Sequence, residues 1–250
     1  MAWICDKFLY VSRPSDDIGF RKTRTGLFLL MTRKNLTAAM ASLAMRRPVF
    51  HSEADFQHEL AMEVSRTGFS VRLETPHTLN LNGAGIPVEL DLLFLNPQTK
   101  HKIALEIKYV KSGVTVVHDG ENFDLKNTWG TNLPRFDCLA DFQRVGKLKA
   151  SGAVDFAFTI FLTNSASAWV DNVGNSTIMA RQFSIHEGRL INPGAFLNWV
   201  PANPGRGSVS VRRLFPYAPI SIPQAAICTW ADYSDFQIPN GRFRYLLLEV

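Results

Sequence analysis

Cysteine is scarce in this chain of 250 residues: Cys5, Cys138 and Cys228 stand far apart, and none belongs to a Cys-x-x-Cys pair. That excludes a disulfide framework and a cysteine-based zinc site, and it fits a reducing cytoplasm. Long apolar runs are also missing. The stretch at 27–31 is far shorter than the ~20 residues a membrane span needs, and Asp6, Lys7 and Arg13 interrupt any signal-peptide core. A cytoplasmic protein without membrane association is therefore expected. The six histidines show no metal-ligand spacing. His58-Glu59 opens like a zinc-protease helix, but Met62 stands where the second histidine should be. Gly83-x-Gly85 lacks the third glycine and the following helix of a dinucleotide fingerprint. Gly-x-Ser-x-Gly elbows, phosphate-binding glycine loops, internal repeats and low-complexity stretches are all absent.

The positive charge is unevenly placed. Residues 1–50 hold nine Lys/Arg against three Asp/Glu, whereas the other 200 residues hold eighteen against nineteen. A basic arm ahead of a near-neutral domain suits a polyanion, because Lys and Arg displace counterions from phosphates. It equally suits a solvated tail or an arm that docks on another protein. The division expected is a basic arm over 1–45 with a short helix from Asn35, then one domain over 46–250.

Within that domain, 52–66 reads as a helix. Ser52 is its N-cap, Glu53 and Asp55 sit at the positive end of the macrodipole, Phe56, Leu60 and Val64 form the buried stripe, and Gly68 ends it. A strand is expected at 70–74, a polar connection through Asn80 to Gly85, and a loop at 113–124. A second helix is expected at 136–148, with Arg135, Asp137, Asp141, Arg144 and Lys147 away from its apolar positions. A buried strand at 153–163 and short β-like pieces at 177–185, 208–215 and 243–250 complete the chain. This order gives an α/β fold with additional C-terminal strands.

The chemistry is concentrated at 86–111, two apolar strands joined by the polar turn Asn96-Pro97-Gln98-Thr99-Lys100. Alternation places Glu89 and Asp91 on one face, with Val88, Leu90 and Leu92 on the other, and groups Glu106 with Lys108 opposite Leu105, Ile107 and Tyr109. Burying an acid in such a strand costs several kcal/mol unless it is compensated. Two carboxylates from adjacent strands, Asp91 and Glu106, can share one Mg²⁺ (with Mn²⁺ as a substitute), to which the carbonyl of Ile107 adds another oxygen. Lys108 can then hold or deprotonate a water, or stabilise charge developing on a phosphate. The bland alternative, a surface strand with an i,i+2 ion pair, leaves Asp91 inside Val-Glu-Leu-Asp-Leu-Leu-Phe-Leu unexplained. Trp169, Trp199, Trp230, Tyr217 and Tyr233 could stack on bases, although such aromatics more often belong to the core.

An Asp strand followed by a hydrophobic-Glu-x-Lys strand, both after an acid-bearing helix, resembles the PD-(D/E)XK superfamily of restriction-endonuclease-like nucleases over about residues 52–163. The resemblance implies a mixed central sheet flanked by helices. It also implies Mg²⁺-dependent hydrolysis of phosphodiester bonds in nucleic acid, DNA above all. Asp91, Glu106 and Lys108 fall on the catalytic positions. Glu53 or Gln57 falls on the helix position, with Glu53 joining Asp91, Glu106 and Ile107 at the metal. Pro87 departs from the short form of the motif by preceding Asp91 by four residues instead of one. Glu89 shares Asp91's face but not its family position. The competing expectations are a non-catalytic nucleic-acid- or partner-binding module on the same fold, and a nuclease subunit of a defence or toxin system. A homodimer or a regulatory protein partner is compatible with each.

Overall fold

The computed structural model describes residues 32–81, 84–128, 132–171, 180–200 and 219–250. Most of the basic arm, Ser12–Asp17, Cys5, residues 177–179 and 208–215, and Tyr217 lie outside them. Two helices open the described chain. Helix α1 (Arg33–Arg46) starts at a Thr32–Asn35 capping box, and α2 (Glu53–Arg66) starts at Ser52, whose hydroxyl accepts from the Asp55 N–H. Gly68, at φ 93°, supplies the left-handed residue just past the end of α2. Leu36, Met40 and Leu43 of α1 are fully buried in the same core as Phe56, Leu60 and Val64 of α2. The expected arm boundary at 45 therefore falls inside a helix that belongs to the domain.

Strands β1 (Ser70–Leu81), β2 (Ala84–Leu95), β3 (Lys102–Val110), β6 (Phe156–Thr163), β11 (Trp230–Asp235) and β12 (Arg242–Glu249) form one six-stranded sheet in the order β1-β2-β3-β6-β12-β11. The β3–β6 pairing is parallel and the others are antiparallel, so the sheet is mixed. Strand β1 runs on past its expected end at 74 to Leu81, and β2 begins at Ala84, so both enter the connection expected over 80–85. The Asn96 turn between β2 and β3 is present, its side chain accepting from the Gln98 and Thr99 N–H groups. The stretch 113–124, expected as loop, is largely a hairpin of β4 (Val114–His118) and β5 (Glu121–Leu125). The C-terminal part adds two short ladders, β7 (Leu190–Ile191) with β10 (Ala226–Ile227) and β8 (Phe196–Leu197) with β9 (Ile220–Ser221). Residues 180–185 carry a 3-10 turn rather than the expected strand.

Helix α3 (Asn132–Ala150) crosses one face of the sheet and α1 and α2 cover the other, so both faces are buried. This is why the inner strands read as nearly continuous apolar runs. On β3, Ala104 and Val110 face α3, while Leu105, Ile107 and Tyr109 face α1 and α2, as strand alternation requires. Trp199, Trp230 and Tyr233 are buried, in keeping with the core role that such aromatics more often have. No helix among the described residues is long and apolar enough to cross a membrane.

At Gly146, α3 lies close against the C-terminal segment. A Cβ at that position would lie 2.7 Å from both Cβ and Cγ of Pro223, a ring that cannot swing aside. Gly146→Ala is thus expected to destabilise the protein by about 1–3 kcal/mol through overpacking, despite the ~1 kcal/mol that alanine gains in a helix interior. Thermal unfolding of the variant measures the net sign.

Candidate active site

The site lies where β2 leaves β3. The two strands pair only from Leu92 opposite Leu105 to Leu95 opposite Lys102, and then separate at Asp91. The cause is local. The β1–β2 ladder runs from Leu73 opposite Leu92 to Thr75 opposite Leu90 and steps over Glu74, whose backbone has a φ of 47°. A left-handed residue inside a strand re-aims it. Leu92 packs on the α1–α2 side, whereas Leu90 and Val88 pack on the α3 side. The shared face expected for Val88, Leu90 and Leu92 is therefore broken at Asp91.

Along a strand, alternate residues direct N–H and C=O to the same edge. Past Leu105, β2 no longer takes the groups that β3 offers on that edge, and carboxylates take them instead. The Ile107 N–H donates to Asp91 Oδ2 at 2.7 Å, and the Tyr109 N–H donates to Glu53 Oε2 at 2.7 Å. Gln57 Nε2 donates to the Asp91 carbonyl at 2.7 Å and to Glu74 Oε1 at 2.5 Å, fixing the kink from α2. The end of β3 is stitched to the segment before α2 by Tyr109 Oη to the Phe50 carbonyl at 2.9 Å and Lys111 Nζ to the His51 carbonyl at 2.7 Å. Glu53, Gln57, Asp91, Ile107 and Lys108 thus meet at one place.

Lys108 Nζ donates to the Ile107 carbonyl at 3.1 Å and lies 3.2 Å from Asp141 Oδ2 and 3.7 Å from Glu53 Oε1. Burial would push its proton off, but the carboxylates of Asp141, Glu53 and Asp91 outweigh it and hold the ammonium above its ordinary value. Glu106 has no exposed surface at all. Arg144 grips it, with Nε donating to Oε1 at 3.0 Å and Nη2 lying 2.7 Å from Oε2, and the same guanidinium reaches Asp141 Oδ1 at 2.8 Å. Burial, reinforced by the charges of Asp141 and Asp91 and opposed by Arg144, pushes the Glu106 carboxyl up to about 9. Burial likewise raises Asp141, Glu53 and Asp137, the last to about 6.

Asp141 and Arg144, on a helix that the sequence resemblance includes, are the residues of this cluster to which sequence reasoning gives no role at the site. On α3 they point at the sheet, and Arg135 is buried too, contrary to the expectation that these residues lie away from the packed face. A signal is present in the sequence: Leu133, Phe136, Leu139, Phe142, Val145 and Leu148 wrap nearly the whole helix, leaving little room for a solvated side. Glu89 is exposed on the arm beyond the kink, its carboxyl raised by the hydrogen bond with Glu74.

Glu53, Asp91, Glu106 and Asp141 face Lys108 and Arg144, an excess of two negative charges when all are ionised. Among the described residues no three His, Cys, Asp or Glu side chains are gathered closely enough to hold a metal as they stand. The donor set nonetheless suits a hard divalent cation. It is all oxygen, and Glu106 Oε2 and the hydroxyl of Thr159, which lies opposite Glu106 on β6, are buried without a well-directed hydrogen bond. No protein-family model and no curated protein matches the chain.

Proposed function

We propose that the chain is a divalent-cation-dependent nuclease that hydrolyses phosphodiester bonds of nucleic acid, with DNA the expected substrate, on a restriction-endonuclease-like fold. The observation that carries this reading is the convergence of four carboxylates and one lysine where β2 parts from β3, the fully buried Glu106 being joined to the others through Arg144. Acids whose pKa is raised by burial beside specific charge partners are the pattern that functional sites share. Asp91 and Glu106, with the Ile107 carbonyl and Glu53, would hold Mg²⁺ or Mn²⁺. When bound, the cation supplies a Lewis acid for the phosphate and a more acidic water.

The chain's own groups do the rest. Lys108, kept protonated by its neighbours, stabilises negative charge on the phosphate oxygens as a fixed cation. That narrows its expected role, since an ammonium held this way is a poor base. Gln57 fixes the backbone of Asp91, and the backbone N–H groups of Ile107 and Tyr109 aim the carboxylates of Asp91 and Glu53. The two described cysteines are free buried thiols, which fits a cytoplasmic setting.

Supercoiled, linear and single-stranded DNA and RNA, each incubated with the protein in Mg²⁺ or Mn²⁺, provide the test. Cleavage that EDTA abolishes is expected, with DNA cut faster than RNA. A salt-dependent gel shift with no cleavage of any substrate in either metal would instead assign a binding module.

A further inference from the structure

We propose that Asp141, on α3 and outside the strand motif, is a positioning residue for Lys108, clamped in place by Arg144; this rests on the nuclease reading above. A lysine ammonium on four rotatable bonds holds no position by itself, and the alignment of a point charge with a phosphate decides what it contributes. Asp141 supplies that position. Its side chain is almost wholly buried, and its two oxygens are divided between two cations, Oδ1 on Arg144 at 2.8 Å and Oδ2 beside Lys108 Nζ at 3.2 Å. Arg144 lies one helical turn further on and spans from Asp141 to Glu106. The acid therefore has no freedom to follow the lysine. The lysine must come to the acid.

The same arrangement keeps the Lys108 ammonium against the Ile107 carbonyl and near Glu53. A pair of buried charges between helix and sheet adds little to stability compared with apolar residues of the same volume. The arrangement is better accounted for by what it holds. The buried Oδ2 of Asp141 lacks a well-directed hydrogen bond, as expected of an acceptor aimed at a mobile ammonium rather than at a backbone donor.

The decisive variant is Asp141→Asn in the full chain, which keeps size and the contact to Arg144 but removes the charge. Removing a supporting contact of this kind typically lowers activity by about 10–100-fold. The expected result is that loss in kcat, with KM and the Mn²⁺ dissociation constant, read by calorimetry, little changed. Acetylation of Lys108 by an amine-directed reagent, read by peptide mass spectrometry, should be several-fold faster than in the wild type. In a Lys108→Met background, single-turnover cleavage should lose nothing further on adding Asp141→Asn, whereas a merely structural role would cost activity in both backgrounds. Unchanged kcat and unchanged Lys108 labelling would overturn the proposal. So would loss of Mn²⁺ binding, because Asp141 would then be a ligand. Should Asp141→Asn not fold, Asp141→Asn/Arg144→Gln removes both charges together and is read by the same labelling. If the wild type neither cleaves nor binds Mn²⁺, the nuclease reading fails, while the labelling still decides whether Asp141 holds Lys108.

Discussion

Lys108→Met is expected to reduce cleavage by about 10²–10³-fold, the usual cost of removing one preorganised group that stabilises transition-state charge. The expectation rests on geometry. Lys108 is the one cation of the cluster that reaches the half-exposed Glu53, whereas Arg144 is spent on the buried Glu106 and on Asp141. Methionine keeps the length and apolar body of the side chain, so β3 should remain paired with β6. The effect should appear in kcat, while affinity for uncleaved DNA in EDTA stays near the wild-type value. Asp91→Asn should be at least as severe. Its Oδ2 accepts the Ile107 N–H at the parting of the strands, and an amide there supplies a weaker oxygen to a cation. Folded Lys108→Met and Asp91→Asn proteins that cut DNA at the wild-type rate would remove the basis for this site.

The parts of this site that were legible in the sequence are those carried by short-range periodicity. Alternation alone puts Glu106 and Lys108 on one face of β3, and Ser52, Glu53 and Gly68 mark the ends of α2, close to where they occur. Two other features needed tertiary structure. The kink at Glu74 is one: a glutamate at φ 47° gives no residue-type signal, since glycine or asparagine is the usual occupant of that region. Its consequence is that Asp91 becomes the first residue of β2 beyond the ladder with β3. The inward aim of Asp141 and Arg144 is the other. A polar residue on a helix is by default assigned to solvent, and only the sheet and the C-terminal segment, packed at Gly146 and Pro223, show that α3 has little solvent face to offer. The β4–β5 hairpin was missed for a related reason. Val114, Val116, Phe123 and Leu125 alternate over strands of five residues, too short to stand out beside Gly113 and Gly120.

Stability should fall as pH rises through neutrality, and Glu106→Gln should remove much of that fall. The sign follows from proton linkage. The Glu106 carboxyl has an ordinary value of 4.5 and is held at about 9 in the folded protein. Below pH 4.5 it is protonated whether the chain is folded or not. Between 4.5 and about 9 the unfolded chain releases the proton while the folded chain keeps it, so each pH unit removes up to about 1.4 kcal/mol of stability. The opposing pull of Arg144 is already contained in the value of about 9, and the loss is on the order of a few kcal/mol across the window. For a chain of this size each kcal/mol shifts Tm by about 2–4 °C, so Glu106→Gln should match the wild type near pH 5 and exceed its Tm by roughly 5–10 °C near pH 9. Histidine titration is common to both proteins and cancels in the comparison. Saturating Mg²⁺ should raise the wild-type Tm at pH 8, since a ligand at 100 times its Kd contributes about 2.7 kcal/mol, and should leave Glu106→Gln nearly unmoved. A Glu106→Gln protein less stable than wild type at pH 9 would mean that Glu106 serves the fold as Arg144's partner. A more stable one would mean that the fold sustains this buried acid at a cost, which is the mark of a residue kept for its chemistry.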